Sequence, residues 1–496
     1  MPSTILAKRI GDVLGISSML ATSRDVHILL FIRFIRMCAY GSSTLILALY
    51  FAALGYSDVK IGLFLTLTLV GDVGVSLLLT LVADSLGRRR ILVAGGLLMA
   101  LSGVVFATAS NYWILLLAAI FGVISPSGNE IGPFKAIEES TLAQLTDPRT
   151  RTDIFAFYVV FGTLGGASGS VAGGWITQAL QATGWTDVAS FRFIFWVYAT
   201  LGLCKAGLTM LLSHKCEAAV TTSSQPPASN QSGETEAFLP ADNPATAPAP
   251  AQKKSAIAQI SPASRKTLLK LCSLFFFDSL ASGMVPNSLI AFYISRKFGI
   301  AEGKLGSIIG SAQFLSSVGN VFASAVAKRI GLVKTMVFTH LPSAILLALV
   351  PFPGSLGLTV TLLVLRASLN AMDQAPRSAF LSAIVLPNER TAVMGIVNTV
   401  KTMSQSSGPL LTGLMAANSR FWIAFLVAGT LKASYDIGLL TVFLHTKIDG
   451  DGPEPLGSSR EEAGTDEMFE LDSESESGSE TGDHGNRMSD PERMRS

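Results

Sequence analysis

The stretch NEIGP, Asn129–Pro133, has a counterpart 243 residues later in MDQAP, Met372–Pro376. Each stretch follows an apolar run and places an acidic residue three positions before a proline, so that Glu130 corresponds to Asp373. Three more pairs have almost the same separation: Tyr50 with Tyr293 at 243 residues, and Gly62 with Gly306 and Gly87 with Gly331 at 244. One offset that fits four positions indicates a duplicated unit, an organisation that places a solute site where the two copies meet.

The composition is that of a membrane protein. Of the 496 residues, 49% are hydrophobic and 15% are charged, well below the roughly 25% of charged residues in soluble domains. Twelve apolar stretches reach the roughly 20 residues that a helix needs to cross a hydrocarbon core of about 30 Å. They lie near 29–53, 61–82, 91–109, 112–131, 155–178, 192–212, 268–294, 304–326, 334–353, 356–376, 391–415 and 422–445. The sequence therefore predicts an all-α membrane protein with twelve transmembrane helices in two pseudo-symmetric six-helix bundles.

Two polar segments divide the chain. Residues 214–265 contain a run rich in Pro, Ser, Thr and Ala that is too poor in apolar side chains to fold alone, and the tail contains the acidic run ELDSESESGSE. We therefore expect the following organisation: a cytoplasmic segment at 1–25, bundles at 26–213 and 266–446, a disordered cytoplasmic linker at 214–265, and an acidic disordered cytoplasmic tail at 447–496.

Basic residues mark one side of the membrane. The tail after Thr446 holds 15 of the 35 acidic residues but only five of the 37 basic ones, so the rest of the chain is basic. Its loop cations cluster in alternate connections: Lys8, Arg9, Arg24, Arg88–Arg90, Arg149, Arg151, Lys328, Arg329 and Lys334. The positive-inside rule makes these connections and both termini cytoplasmic. We expect a multi-pass protein of the plasma membrane rather than of an internal membrane.

The connection after the second predicted span carries a motif. The stretch TLVADSLGRRRIL, residues 80–92, resembles the signature of the major facilitator superfamily, G-x-x-x-D-x-x-G-R-R, with matches at Asp84, Gly87, Arg88 and Arg89. Thr80 replaces the first glycine of the pattern. The resemblance extends over about residues 25–445 and implies a transporter in which this loop helps gate the cytoplasmic side.

A glycine-rich stretch lies in the fifth predicted span. FGTLGGASGSVAGGW, residues 161–175, resembles a segment of proton-coupled drug exporters but lacks the proline of that pattern. Small residues allow two membrane helices to approach closely, so ordinary helix packing explains the same stretch equally well. Only this segment favours export over import.

Charged residues inside predicted spans are the candidate functional residues. A charge near the bilayer centre is costly and usually faces a cavity or a partner. We expect the substrate or proton pathway to use Arg36, Asp72, Glu130, Asp278, Arg366, Asp373 and Lys401. Arg366 and Asp373 are seven residues apart and would share a helix face. A buried Lys401 needs a carboxylate partner or must lose its proton, and Asp278 and Asp373 are the nearest candidate partners in the same half.

Other intramembrane charges have simpler interpretations. Lys432 and Asp436 are one turn apart, which predicts a structural ion pair. Arg33 is expected to extend to the inner interface, and His340 is interpreted as structural rather than as a proton carrier. The four cysteines show neither a disulfide framework nor metal-ligand spacing, and no metal site is predicted.

These features predict a secondary active transporter that moves a small solute by alternating access. We expect proton-coupled export; the alternatives are a proton symporter or facilitator that imports a nutrient, and a non-transporting sensor of transporter fold. The chain is not expected to be an enzyme, to use a cofactor or to bind nucleic acid, and no nucleotide-binding loop is present to supply ATP energy. The expected partners are the solute, the coupling proton and membrane lipid, and the expected state is a monomer. The candidate residues carry both signs, so their charge alone does not select a solute.

Overall fold

The computed structural model describes residues 19–122, 124, 133–147, 150–217, 262–384 and 390–443. This part of the chain is helical, with one short 3-10 turn at His214–Cys216. The α-helices in chain order are α1 (Arg24–Ala53), α2 (Asp58–Leu86), α3 (Arg88–Thr108), α4 (Tyr112–Gly122), α5 (Pro133–Leu145), α6 (Arg151–Ala182), α7 (Asp187–Met210), α8 (Pro262–Met284), α9 (Asn287–Phe298), α10 (Glu302–Ile330), α11 (Leu332–Leu349), α12 (Leu356–Ala371), α13 (Gln374–Ile384), α14 (Arg390–Ala417) and α15 (Phe421–Phe443).

The predicted twelve-helix, two-bundle architecture is confirmed. Nine of the predicted spans are single helices, and the seventh consists of α8 and α9. The fourth and tenth spans, whose predicted bounds end at 131 and 376, each have a second helix, α5 after α4 and α13 after α12. Within the described residues, seven helices are long and apolar enough to cross a membrane, and α4 and α12 are shorter apolar helices.

Prolines lie at these interruptions. Pro133 is the first residue of α5, Pro286 caps the start of α9, and Pro376 lies in the first turn of α13. Proline has no backbone N–H, so it is tolerated where a helix begins and disfavoured within one. The repeated proline of NEIGP and MDQAP therefore marks the beginning of the second half-helix in each bundle. Residues 125–132, with Glu130, are outside the described part of the chain.

The ends of the bundles are defined by their turns. Gly87 and Gly331 connect α2 to α3 and α10 to α11 with φ values of +92° and +86°, which favour glycine. We call this end, which carries Arg88 and Lys334, the basic end. The opposite end, with the turns after α1, α6 and α9, is the far end.

The glycine-rich segment packs α6 against α1. A Cβ atom on Gly169 would lie 1.9 Å from the carbonyl oxygen of Cys38, and one on Gly173 would lie 2.8 Å from the Ser42 Cβ atom. Such approaches require glycine. These contacts support the packing interpretation of this segment.

The two bundles touch through their far halves. At the α6–α10 contact, a Cβ on Gly174 would lie 2.2 Å from the Glu302 carbonyl oxygen. At the α2–α14 contact, a Cβ on Gly62 would lie 2.4 Å from the Pro409 carbonyl oxygen. Arg296 of α9 and Asp58 of α2 add an ion pair of 2.7 Å between the bundles. Close helix contact at this end leaves the space between the bundles near the basic end.

Candidate functional site

A cavity of about 620 Å³ lies between the bundles, from the middle of the molecule toward the basic end. Its walls follow helical spacing: α12 contributes Leu363, Arg366, Ala367, Asn370 and Ala371, and α10 contributes Ile309, Ala312, Gln313, Ser316 and Ser317. Side chains three and four positions apart lie on one face of a helix, so each helix presents one stripe to the cavity. The N-terminal bundle contributes fewer charges, among them Arg33 and Glu139.

Asp278 is the centre of a buried charge network in the C-terminal bundle. Its carboxylate lies 2.7 Å from Lys432 Nζ of α15 and 2.8 Å from Arg377 Nη1 of α13. Arg377 also pairs with Asp373. The C-terminal charge network consists of these residues together with the histidine and acid described next: Asp278, His340, Asp373, Arg377, Lys432 and Asp436.

His340 of α11 connects two of the three acids of this network, Asp278 and Asp436. Its Nδ1 atom lies 2.9 Å from Asp436, and its Nε2 atom lies 3.6 Å from Asp278 Oδ1 and 3.4 Å from Lys432 Nζ. Asp436 is buried behind the cavity wall, whereas His340 and Lys432 reach the cavity. The imidazole therefore bridges a buried carboxylate to the solvent-facing part of the network.

The predicted pairing of Lys432 with Asp436 is corrected by this geometry. Lys432 reaches across to α8, where it binds Asp278 and the Ser282 hydroxyl at 2.8 Å, and Asp436 binds His340 instead. Residues one turn apart share a helix face, but a buried charge takes the partner that best neutralises it, and here that partner comes from another helix.

Arg366 and Lys401 lie in the cavity wall without an ion-pair partner among the described residues. Among the described residues, no carboxylate oxygen is within 4.0 Å of either cationic group, and Lys401 Nζ lies 5.3 Å from the centre of the Phe275 ring. The predicted pairing of Lys401 with Asp278 or Asp373 is therefore absent, because Arg377 and Lys432 bind those acids. Arg366 and Asp373 both line the cavity, as a shared face predicts, but they do not lie on one continuous helix, since α12 ends at Ala371.

The N-terminal bundle has its own buried ion pair. Arg36 of α1 lies 2.5 Å from Glu138 of α5, and the Tyr158 hydroxyl donates to the same carboxylate over 2.9 Å. Arg36 and Glu138 are outside the cavity lining. Arg33, expected at the membrane interface, is instead buried at 7% exposure with its guanidinium 4.6 Å from the centre of the Tyr158 ring.

Two of these partners were missed by sequence analysis. Arg377 directly follows the repeated proline and is four residues after Asp373, a spacing that indicates a helical ion pair. Glu138 has a weaker signal, because it follows the apolar Ala136 and Ile137 but is directly followed by a second acid, Glu139. Both lie in the second half-helix of a broken span, which the predicted span boundaries did not include.

Asp72 and the loop residues lie away from the cavity. Asp72 is half-buried in the middle of α2, and its Oδ1 atom has no hydrogen-bond partner among the described residues. Asp84 is in the last turn of α2, and its side chain is outside the described part. Arg88 donates to Gln144 over 3.0 Å and Arg89 to the Met210 carbonyl over 2.5 Å, so both loop arginines bind within the N-terminal bundle.

Comparisons with known proteins agree with this architecture. A family model for the Major Facilitator Superfamily matches residues 29–270 and 271–469. The uncharacterized membrane protein YJR124C of Saccharomyces cerevisiae is 36% identical over 429 residues, which cover 85% of this chain and 94% of the relative.

Solved structures share the fold at low identity. The nucleoside transporter NupG has a TM-score of 0.60 at 14% identity, over 84% of this chain and 99% of that one. A bacterial homolog of the human lysosomal transporter Spinster, in an inward-facing and unoccupied conformation, has a TM-score of 0.58 at 14% identity, over 84% of this chain and 94% of that one. This chain is a multi-pass membrane protein that belongs to the major facilitator superfamily.

Proposed function

We propose that this protein is a secondary active transporter that binds a small solute in the cavity between its bundles and releases it on the other side by alternating access. The observation that carries this proposal is the contact pattern: the bundles touch at the far end and are separated by a polar cavity of about 620 Å³ toward the basic end. A solute site at the interface of two repeats is the arrangement expected of such transporters.

The orientation follows from the charges. With the basic end in the cytoplasm, as the positive-inside rule favours, the cavity opens inward. The loop of Asp84, Gly87, Arg88 and Arg89 is then cytoplasmic, and we propose that it helps to set the balance between inward-open and outward-open states. We propose that both termini are cytoplasmic and that the protein lies in the plasma membrane.

A proton is the proposed coupling ion. The C-terminal charge network supports this proposal, because protonation of His340 or of a carboxylate would change which cation holds Asp278. Arg377 and Lys432 both line the cavity, so a change in their pairing reaches the solute site directly. We propose that Asp72, whose buried oxygen has no partner in the described part of the chain, is a second proton-binding group.

Export by proton antiport is the proposed direction. It rests on the resemblance of the glycine-rich segment to proton-coupled exporters. Import by proton symport is the alternative, and the same cavity and charge network would serve it. We further propose that the chain works as a monomer in contact with lipid, without a cofactor, an enzymatic reaction or nucleic acid.

Proteoliposomes test these proposals. Purified protein would be reconstituted, and solute movement would be measured with a pH gradient of either sign and without one. Antiport predicts that solute moves against the proton flow, and symport predicts movement with it. Equal rates of solute movement under all three conditions would show that transport is not coupled to protons. A protein that moves no solute in a broad panel, while still binding one, would support the sensor alternative.

A further inference from the structure

The cavity has more positive than negative side chains. Its described lining residues include the cations Arg33, Lys135, Arg366, Arg377, Lys401 and Lys432 and the carboxylates Glu139, Asp278 and Asp373. His340 also lines the cavity, and its charge depends on protonation. The lining therefore carries an excess of positive charge before any solute enters.

The ion pairs show where this excess lies. Asp278 binds Arg377 and Lys432, and Asp373 binds Arg377. Glu139 is 3.8 Å from Lys135. All three carboxylates are thus matched with cations other than Arg366 and Lys401.

The three remaining lining cations are Arg33, Arg366 and Lys401. Arg33 stacks on the Tyr158 ring and makes further contacts. Arg366 has a buried Nε atom without a hydrogen-bond partner among the described residues, and Lys401 Nζ lies 5.3 Å from the centre of the Phe275 ring. Arg366 and Lys401 are lining cations that form no ion pair within 4.0 Å with a carboxylate of the described residues.

The rest of the wall is partly apolar and partly able to form hydrogen bonds. Apolar side chains line the space at Met37, Val285, Ile290, Ile309 and Leu363. Amide side chains of Asn370, Gln313 and Gln405 also face it. A cavity of this size and lining fits a small organic molecule better than an inorganic ion.

We infer that the transported solute is a small organic anion, bearing a carboxylate or phosphate group that Arg366 and Lys401 bind. A partly buried cationic side chain is stabilised by an anion, and a guanidinium binds carboxylate and phosphate oxygens with two parallel hydrogen bonds. The apolar wall contacts the carbon body of the solute. This inference rests on the proposed transport function, for which it names the substrate class.

Binding to the purified full-length protein tests the inference independently of transport. The melting temperature would be measured with benzoate, citrate and glucose 6-phosphate as anions, and with benzamide, glucose and benzylamine as neutral or cationic counterparts, all at one ionic strength. A ligand that binds only the folded state raises the melting temperature with its concentration. We expect stabilisation by at least one anion that exceeds the effect of its counterpart.

Charge-removing variants identify the site. Arg366→Gln and Lys401→Gln should each weaken the binding of that anion at least about tenfold, which corresponds to the loss of a charge-assisted hydrogen bond. The matched controls are Arg420→Gln and Lys304→Gln, which change exposed residues outside the cavity lining and should bind as the unmodified protein does. Melting temperatures without ligand separate lost binding from lost folding.

The outcomes separate the two proposals. Stabilisation by neutral or cationic compounds equal to that by anions, no response to any anion, or unchanged binding by Arg366→Gln and Lys401→Gln would overturn the anion site. Anion binding that depends on these residues, in a protein that moves no solute in proteoliposomes, would leave the site intact and contradict transport.

Discussion

Arg377 Nη1 lies 2.8 Å from Asp278 Oδ2 and joins α13 to α8. In the other bundle, the corresponding helices α5 and α1 are joined by Glu138 and Arg36, with the acid and the cation exchanged. The side chains of Arg36 and Glu138 are 1% and 0% exposed, whereas those of Arg377 and Asp278 are 15% and 4% exposed and line the cavity. The duplicated fold thus keeps an ion pair at the same helix contact, and only the C-terminal pair lines the cavity.

Removal of Lys432 should destabilise the protein. Lys432→Met takes away one of the two cations on Asp278, and breaking a buried ion pair costs about 3–5 kcal/mol. Because Arg377 still holds Asp278, we expect the lower part of that range. The measurement is the melting temperature in detergent, with the exposed Lys304→Met as control.

A second variant separates stability from coupling. The double variant Lys432→Met with Asp278→Asn removes both charges of the pair, so it should recover part of the melting temperature without recovering gradient-driven transport. An unchanged melting temperature for Lys432→Met alone would show that the pair with Asp278 adds nothing to stability.

Asp72 is expected to act in proton coupling. Asp72→Asn keeps the size and polarity of the side chain but cannot release a proton, so transport driven by a pH gradient should be lost while solute exchange without a gradient continues. Both are measured in proteoliposomes, and membrane insertion is checked by protein yield. Asp187→Asn, an exposed carboxylate of the same bundle, is the control. Gradient-driven transport at the normal rate would exclude Asp72 from the mechanism.

Replacement of Gly169 even by alanine should destabilise the protein. Its Cβ would lie 1.9 Å from a backbone oxygen of α1, and overpacking of this kind typically costs about 1–3 kcal/mol or more. Gly207→Ala is the matched control, because a Cβ there meets nothing within 4 Å. The yield of folded protein and its melting temperature should fall for Gly169→Ala alone, and equal values for the two variants would contradict the close α1–α6 contact.

The Arg296–Asp58 pair should favour the state that is closed at the far end. Arg296→Gln removes an ion pair between the bundles, and because Arg296 is 55% exposed we expect a shift of at most about 1 kcal/mol, or roughly fivefold in the ratio of states. The measurement uses a single cysteine introduced at Gln405 in a protein whose four native cysteines are replaced. In the Arg296→Gln variant this cysteine should react more slowly with a reagent added from the basic end than it does when Arg296 is present. The Lys304→Gln background should label as before, and faster labelling in Arg296→Gln would reverse the proposed role of the pair.

The local sequence was sufficient for the fold. Apolar runs of membrane-crossing length, prolines at a repeated offset and glycines at the Gly87 and Gly331 turns depend on short stretches of chain, so the twelve spans and their duplication could be predicted. The second half-helices of the fourth and tenth spans were not predicted, because polar residues such as Glu138 and Arg377 lower the apolar signal there.

The candidate site was predictable in its members but not in its pairings. The sequence by itself determined that Asp278, Arg366, Asp373 and Lys401 are charged residues within apolar spans, which is a matter of composition and spacing. Only the tertiary structure decided that Lys432 binds Asp278 rather than Asp436, and that Arg366 and Lys401 line the cavity without an ion pair to a carboxylate of the described residues. The physical reason is that spacing along one helix fixes which residues share a face, whereas the partner of a buried charge depends on how neighbouring helices pack.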